Sequence, residues 1–392
     1  MIENATDWIE LTLRWIHIIT GAAWIGTSFY FNWLNNHVRP PETPEEGVGG
    51  DLWSVHGGHF YRVVKYKVAP ERLPKILHWF KWEAYFTWIS GFSLLAVAYY
   101  LHADTMVVDN SVRALASWEA IAIGLGVLAG GWTIYHFLCK SPLGRMPMVF
   151  AILGFAMMTG LAYGLTLYFG SRAAYIHVGA LIGTIMAANV FVVIIPNQRV
   201  MVDAMTRGDE PAAEMGLEAA QRSLHNNYFT LPVLFIMVSN HYPMTYGHAW
   251  NWAILAGISL AGAITRHWFN LRGQGHKNAY LLPIAAAGMV AMAFVTMPKS
   301  YADHRPVEFA EVRTIIETHC VQCHSASPTM EGFAIAPQGV MFDTSQQIGT
   351  MAQRINTQVV VSQVMPLGNL TNMTQEERDI IGAWFHQGAA VE

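Results

Sequence analysis

Charged residues are scarce in this chain of 392 residues, since only 13% are Asp, Glu, Lys or Arg, against about 25% in an average soluble domain. There are only three cysteines, which excludes a scaffold held together by disulfides. Hydrophobic residues make up 53% of the chain. This composition excludes a disordered chain and a nucleic-acid binder, and it is typical of a membrane protein.

Long apolar runs are absent after position 300, and this divides the chain into two unlike parts. Residues 300–392 include four basic and ten acidic residues, a net charge of −6, so the first part carries +2 of the total of −4. Before position 300, about eight runs are long enough to cross a bilayer as helices. They lie at 8–34, 84–101, 118–139, 146–169, 175–196, 228–239, 249–269 and 279–297.

We therefore predict an all-α fold with a polytopic transmembrane helix bundle of about eight spans in 1–299. The run at 228–239 is short and contains Pro232, which leaves a count of seven open. The first run is too long for the apolar core of a signal peptide, so we expect it to remain as an anchor.

Basic residues in the predicted loops favour one orientation of the bundle. By the positive-inside rule, the set of alternate loops that is rich in Lys and Arg faces the cytoplasm. Residues 300–392 and the N-terminus then lie on the periplasmic side of a bacterial inner membrane. The basic set is Arg39, Arg62, Lys65, Lys67, Arg72, Lys75, Lys81, Lys140, Arg145, Arg199, Arg207, Arg222, Arg266, Arg272 and Lys277, whereas the other loops hold Arg113 and Arg172.

The first predicted cytoplasmic loop, 35–81, is the longest. Two short apolar segments at 52–55 and 60–68 flank His56-Gly57-Gly58-His59, a pattern that predicts a hairpin with a glycine turn. We expect an interfacial helix at 74–81, leading into the second span.

The most specific motif of the chain is Cys320-Val321-Gln322-Cys323-His324. This spacing is the attachment signature of haem c, in which two thiols add to the vinyl groups of one porphyrin and the histidine binds the iron. A redox dithiol needs no histidine, and a zinc site needs more ligands than this part of the chain offers. We predict one covalent haem c, with His324 as an axial ligand, in a small periplasmic cytochrome c domain at 300–392.

Helices on both sides of this motif are typical of a small cytochrome c. Phe309, Val312 and Ile316 share one face of a predicted helix that leads into the motif. A capping box at 374–377 opens a second helix near the end of the chain.

The sixth iron ligand should come from the stretch between those helices. We predict Met365, because Pro366 stiffens its loop just before the last helix. A thioether ligand raises the reduction potential, which suits an electron acceptor. The alternatives are Met330, Met341, Met351 and Met373.

Histidines within the predicted spans suggest a second cofactor. His17 lies well inside the first span, and His177 begins the fifth span on the same side. Ionisable residues inside a membrane are costly and indicate function. We predict that His17 and His177 hold a haem b that passes electrons to haem c. The alternative is that such histidines are interfacial.

Two polar clusters lie at predicted inner ends of spans. One includes Arg199, and the other includes His225, Asn226, Asn227 and Thr230. Amides and a guanidinium suit a planar, anionic heterocycle that forms hydrogen bonds. The alternative is helix capping, for which asparagine is common.

Together these motifs resemble the membrane-bound, cytochrome c-type urate oxidases, also called urate hydroxylases. The resemblance rests on the segments 24–30, 56–61, 78–85, 195–199 and 225–232, followed by the haem-binding tail, and covers essentially the whole chain. It implies an oxidoreductase of purine degradation that converts urate to 5-hydroxyisourate. Electrons would leave through haem c to the respiratory chain, and oxygen would not be reduced at the site.

The implied partners are urate, membrane lipid and a periplasmic or membrane electron acceptor, with no nucleic acid. A urate site at the inner polar clusters would require a membrane haem to carry electrons across, whereas a site on the outer face would not. The alternative function is a membrane cytochrome b/c relay that oxidises quinol without purine chemistry. A haem-based sensor is a third reading.

Overall fold

The computed structural model describes residues 2–67, 70, 72–297, 300–301, 303–330 and 333–391. Helix accounts for 67% of the structure and strand for 5%. The chain is therefore mostly helical, as predicted, with a small sheet as an addition. The predicted domain boundary falls at Lys299, which lies outside the described residues.

A bundle of helices occupies the part before position 300. Its helices are α1 (Ile2–His37), α2 (Trp82–Leu95), α3 (Ala103–Met106), α4 (Ser117–Lys140), α5 (Pro147–Thr166), α6 (Ser171–Ala188), α7 (Ile195–Thr206), α8 (Ala213–Ser239), α9 (Pro243–Tyr246), α10 (Asn251–Gly273) and α11 (Leu281–Val295). The π-helical turn Ala96–Tyr100 extends α2, and a second π-helical turn, Asn189–Ile194, joins α6 to α7. A 3-10 turn, Pro142–Arg145, separates α4 from α5.

Three helical segments are long and apolar enough to cross a membrane. They are Ser117–Lys140, Pro147–Thr166 and Ser171–Thr206, and Leu281–Val295 is a shorter apolar helix. These segments are consistent with a membrane protein. The count of about eight spans stays a prediction.

Helix α8 differs from the short sixth span that we predicted at 228–239. The structure has one continuous helix of 27 residues, Ala213–Ser239, with Pro232 inside it. The first half of this helix lacks an apolar run because several of its buried positions are polar, among them Arg222, Asn226 and Asn227. A search for apolar runs cannot detect such a segment.

Helix α6 lies at the centre of the bundle. It packs against α2, α4, α5 and α8, and most of its 18 residues are buried. Its Tyr175 and Val178 belong to an apolar cluster that also contains Phe169 and Ile236. This packing fixes the position of the π-helical turn that follows α6.

The loop after α1 forms an antiparallel hairpin. Strand β1 (Val48–His56) pairs with β2 (His59–Tyr66). Gly57 and Gly58 make the turn with φ angles of 60° and 80°, a backbone region that favours glycine. The predicted hairpin and its glycine turn are confirmed.

The interfacial helix predicted at 74–81 is wrong. This segment is irregular, and α2 begins only at Trp82. Phe80 packs edge-on against Phe31 of α1, with ring centroids 4.8 Å apart. The aromatic residues of the segment therefore contact the bundle individually instead of forming one face of a helix.

The tail after position 300 forms a second cluster of short helices. They are α12 (Phe309–His319), α13 (Ser345–Thr350), α14 (Ala352–Ile355) and α15 (Gln375–His386), with 3-10 turns at Pro337–Gly339 and Leu367–Asn369 and a π-helical turn at Asn356–Val361. Val312, Ile316, Ile381 and Trp384 lie in its buried core. The predicted helix before Cys320 is present, and so is the capping box at 374–377.

The tail contacts the bundle through two of its turns. The turn Leu367–Asn369 packs on α3, and Asn356–Val361 packs on α9. The Asn110 amide donates a hydrogen bond to the Gly368 carbonyl, with an N···O distance of 3.1 Å. A Cβ at Gly247, the residue after α9, would lie 2.1 Å from the carbonyl oxygen of Val361. Close main-chain contacts at these glycines hold the two parts together.

Replacing Gly247 with alanine is expected to open this contact, because the added methyl group would overlap the Val361 carbonyl. Overpacking of this kind is relieved by moving backbone. Amide hydrogen exchange in Asn356–Val361 should become at least about tenfold faster, a loss of about 1.4 kcal/mol of local stability. The matched control is Gly126→Ala, since no atom lies within 4 Å of a Cβ there. Equal exchange in the two variants would contradict the prediction.

Candidate active site

A cavity of about 650 Å³ opens among α1, α8, the π-helical turn after α6 and residues 78–80. Trp24, Phe31 and Trp79 contribute flat apolar walls, and Asn227 is among the polar residues that line it. A cavity of this size with apolar walls and a few fixed polar groups is typical of a small-molecule site.

Asn227, which lines this cavity, has a buried donor without a partner. Its Oδ1 accepts two hydrogen bonds, from Arg266 Nε and from Asn270 Nδ2, each 3.0 Å long. Because both partners are donors, they fix which end of the amide is oxygen. Asn227 is only 2% exposed, and its Nδ2 has no partner among the described residues. A buried donor without a partner costs free energy, so this amide favours a ligand with an acceptor atom.

Asn226 is fully engaged within the protein. Its Nδ2 donates to the Met186 carbonyl and its Oδ1 accepts from Asn189 Nδ2, both at 2.9 Å. Asn226 thus ties α8 to α6. Thr230, which also lines the cavity, donates its hydroxyl to the Asn227 carbonyl at 2.6 Å and keeps its oxygen lone pairs available.

Two of the predicted site residues do not line this cavity. The His225 ring stacks on Phe150 with centroids 4.8 Å apart, and its Nδ1 lies 2.8 Å from the Tyr135 hydroxyl. Arg199 is exposed on α7. The structure therefore brings together Asn226, Asn227 and Thr230 at the cavity, without His225 or Arg199.

His78 and Arg222 are residues that sequence reasoning missed. His78 lines the cavity, where it is the one histidine among the described lining residues. It lies in 78–85, one of the segments on which the resemblance to the urate oxidases rests. That resemblance was the sequence signal that could have pointed to His78. Arg222 is completely buried one turn before Asn226, with its guanidinium 5.2 Å from the Tyr135 ring.

The two histidines predicted to hold haem b have separate protein partners. His17 Nδ1 lies 2.9 Å from the Thr87 carbonyl. His177 is completely buried, and its Nε2 lies 3.1 Å from the Tyr100 hydroxyl. A Cβ on Gly124 would come within 2.6 Å of the same Nε2, so this nitrogen lies against the backbone of α4. Both ring nitrogens of His177 thus have protein neighbours, and a haem b held by His17 and His177 stays a prediction.

The tail motif, in contrast, fits haem c. Cys320 and Cys323 are free thiols. His324 Nδ1 donates to the Val340 carbonyl at 3.0 Å, which fixes the ring and leaves Nε2 free to bind iron. Among the described residues, no three His, Cys, Asp or Glu side chains gather as a metal site, whereas haem iron needs only axial ligands from the protein.

Met365 lies in a loop that a buried arginine holds. Arg378 donates from Nη1 to the carbonyls of Met365 and Val359, each at 2.6 Å. The Met365 side chain borders the same apolar cluster as Cys320, a position that suits a sixth ligand. Met351 also borders that cluster, and Met373 lies inside it.

The family assignment agrees with this geometry. A family model described as urate oxidase N-terminal matches residues 3–297. The chain belongs to this urate oxidase family. The match includes every helix from α1 to α11 and supports an oxidoreductase that acts on urate. Comparison with curated proteins and with solved structures finds no significant match.

The two motif cysteines of this urate oxidase-family chain, Cys320 and Cys323, are poor nucleophiles before haem is attached. Burial raises the pKa of the Cys320 thiol to about 12 and also raises the pKa of Cys323. Because only the thiolate reacts, a raised pKa slows alkylation at neutral pH.

In protein produced without haem, alkylation of Cys320 at pH 8 should be on the order of 1000-fold slower in the folded than in the unfolded state. The rate should rise about tenfold per pH unit toward pH 12, since the thiolate fraction rises in that way. Mass spectrometry of alkylated peptides measures both rates. Similar rates with and without denaturant would show that the thiol is not buried.

Proposed function

We propose that this protein oxidises urate to 5-hydroxyisourate and passes the electrons through a haem c on its own tail to a periplasmic or membrane acceptor. The observation that carries the proposal is the match of residues 3–297 to the urate oxidase family model. Every described residue that lines the cavity lies within this stretch, so the family match applies to the candidate site itself. The Cys320-Val321-Gln322-Cys323-His324 motif supports the route of the electrons.

The cavity suits the shape and polarity of urate. A planar purine can lie against the Trp24 and Phe31 rings. The free Nδ2 of Asn227 can donate to a carbonyl oxygen of urate, and the Thr230 hydroxyl offers an acceptor. These contacts would orient the substrate with few charged groups.

The reaction balances without oxygen as a reactant. Urate and one water give 5-hydroxyisourate, two protons and two electrons. His78 is placed to accept a proton from the substrate, because it lines the cavity and is exposed to solvent. The open mouth of the cavity admits the water that adds at C5.

Haem c would supply a one-electron acceptor, so each turnover needs two transfers. Cys320 and Cys323 would hold its porphyrin, and His324 and Met365 would be its axial ligands. The Val340 carbonyl and the Arg378 guanidinium keep these two ligand positions in place.

The cavity and the tail lie near opposite ends of α6. Val190 lines the cavity, whereas the Tyr175 hydroxyl donates to the Asn251 carbonyl near α9. A helix rise of 1.5 Å per residue makes this separation roughly 22 Å. We infer that the inner end faces the cytoplasm and that the tail lies in the periplasm. Electrons would then need a membrane relay, for which a haem b at His17 and His177 stays the prediction.

Urate should reduce the oxidised protein directly, which tests the function. Added anaerobically to purified oxidised protein, urate is expected to produce the absorption bands of reduced haem c and equivalent 5-hydroxyisourate. The Asn227→Ala variant should need about tenfold more urate for half-maximal rate, because a buried hydrogen bond is lost.

The matched control is Asn251→Ala, which removes another buried asparagine far from the cavity. Reduction by quinol but not by urate would replace the proposal with the quinol-oxidising relay. An equal effect of both asparagine variants would assign Asn227 a purely structural role.

Met365→Ala should abolish the methionine–iron charge-transfer band of the oxidised protein, because the thioether would be gone. Near-infrared absorption measures this band, and a pyridine haemochrome spectrum confirms that haem c is still attached. Met351→Ala is the matched control, since Met351 borders the same apolar cluster. Loss of the band in the control alone would identify Met351 as the ligand.

A further inference from the structure

A second cleft, of about 500 Å³, lies between α1 and the C-terminal end of α10. Arg266, Arg272 and Lys277 line it, together with His37 and His276, and no Asp or Glu is among its described lining residues. Three fixed positive charges therefore face one small volume. Such a concentration of charge favours an anion.

Arg266 is the buried basic residue of this cleft. It is only 7% exposed, and its guanidinium stacks on the Phe29 ring at 4.0 Å. Its Nε donates to Asn227 Oδ1, and within the described residues no carboxylate lies within 4.0 Å of it. A buried guanidinium without a negative partner is costly, so its remaining donors favour an anion in the cleft.

Arg272 and Lys277 stand at the exposed mouth of the cleft. The Arg272 guanidinium lies 5.5 Å from the Trp268 ring. Gly273 allows α10 to approach α1 closely, since a Cβ there would lie 2.9 Å from Asn36 Cβ. The two helices therefore form the two walls of the cleft that these cations line.

Exposed apolar side chains also line this cleft. Trp33 on α1 is 42% exposed and Phe269 on α10 is 53% exposed, and both line the cleft. A free anion would not use these side chains. A molecule with a phosphate group and hydrocarbon chains would contact both surfaces, as anionic lipids do in basic pockets between membrane helices.

We propose that this cleft binds the phosphate of an anionic phospholipid, with Arg266, Arg272 and Lys277 around the phosphate and the acyl chains along Trp33 and Phe269. The predicted cytoplasmic side of the basic loops agrees with this, because anionic lipids concentrate in that leaflet. The inference does not depend on the oxidation of urate.

The test is a titration of the full-length, delipidated protein in detergent with phosphatidylglycerol, followed by native mass spectrometry. The Arg272→Gln/Lys277→Gln double variant should bind phosphatidylglycerol roughly 30-fold more weakly than the unmodified protein, at about five- to sixfold per charge removed. Phosphatidylcholine should bind equally weakly to both.

The matched control is Lys140→Gln/Arg145→Gln, which removes two exposed basic residues from another predicted cytoplasmic loop. This control should keep the affinity for phosphatidylglycerol within about threefold, because each surface charge acts only over a short range. An equal loss in both double variants would overturn the proposal, since the attraction would then be general.

Inorganic phosphate forms the last arm of the test. If millimolar phosphate displaces phosphatidylglycerol from the unmodified protein, the phosphate group is the recognised chemistry and the proposal is supported. If phosphate binds in a manner that needs Arg272 and Lys277 while phosphatidylglycerol does not bind, the ligand is a soluble phosphate and the lipid assignment is wrong.

Discussion

The hydrogen bonds of the polar residues buried on α8 are the constraint on which the cavity end of the bundle depends. Polar groups surrounded by apolar helices need partners within the protein. Asn226 meets Asn189 after α6, while Arg266 and Asn270 of α10 both converge on Asn227. These contacts join α6, α8 and α10, and they leave one amide donor directed at the cavity.

The apolar part of the fold could be predicted from the sequence. The runs at 118–139 and 146–169 correspond to α4 and α5, because the free energy of burying apolar surface depends on composition alone. The first half of α8 could not be found in that way. Its Arg222 is buried beside Glu218 and Tyr135, and a partner from another helix, such as Tyr135, is visible only after folding.

The candidate site was predictable only in part. Asn226 and Thr230 are four residues apart and therefore share a helix face, whereas His225 is turned about 160° from Asn227 and about 140° from Thr230 and so points away from that face. Arg199 follows the π-helical turn Asn189–Ile194, which inserts residues and rotates everything after it. The periodicity of apolar residues does not reveal such a turn. Nor does it identify His78, because His78 reaches the cavity from an irregular segment and not from a helix.

The contact between bundle and tail includes close approaches of backbone atoms at Gly247 and Gly368. A surface of this kind is insensitive to most substitutions around it, because a carbonyl or an amide is the same in every residue. The neighbouring positions of α3 and α9 can therefore diverge among relatives without loss of the contact. The pair of glycines is then the part of the interface by which a relative with an attached tail can be recognised.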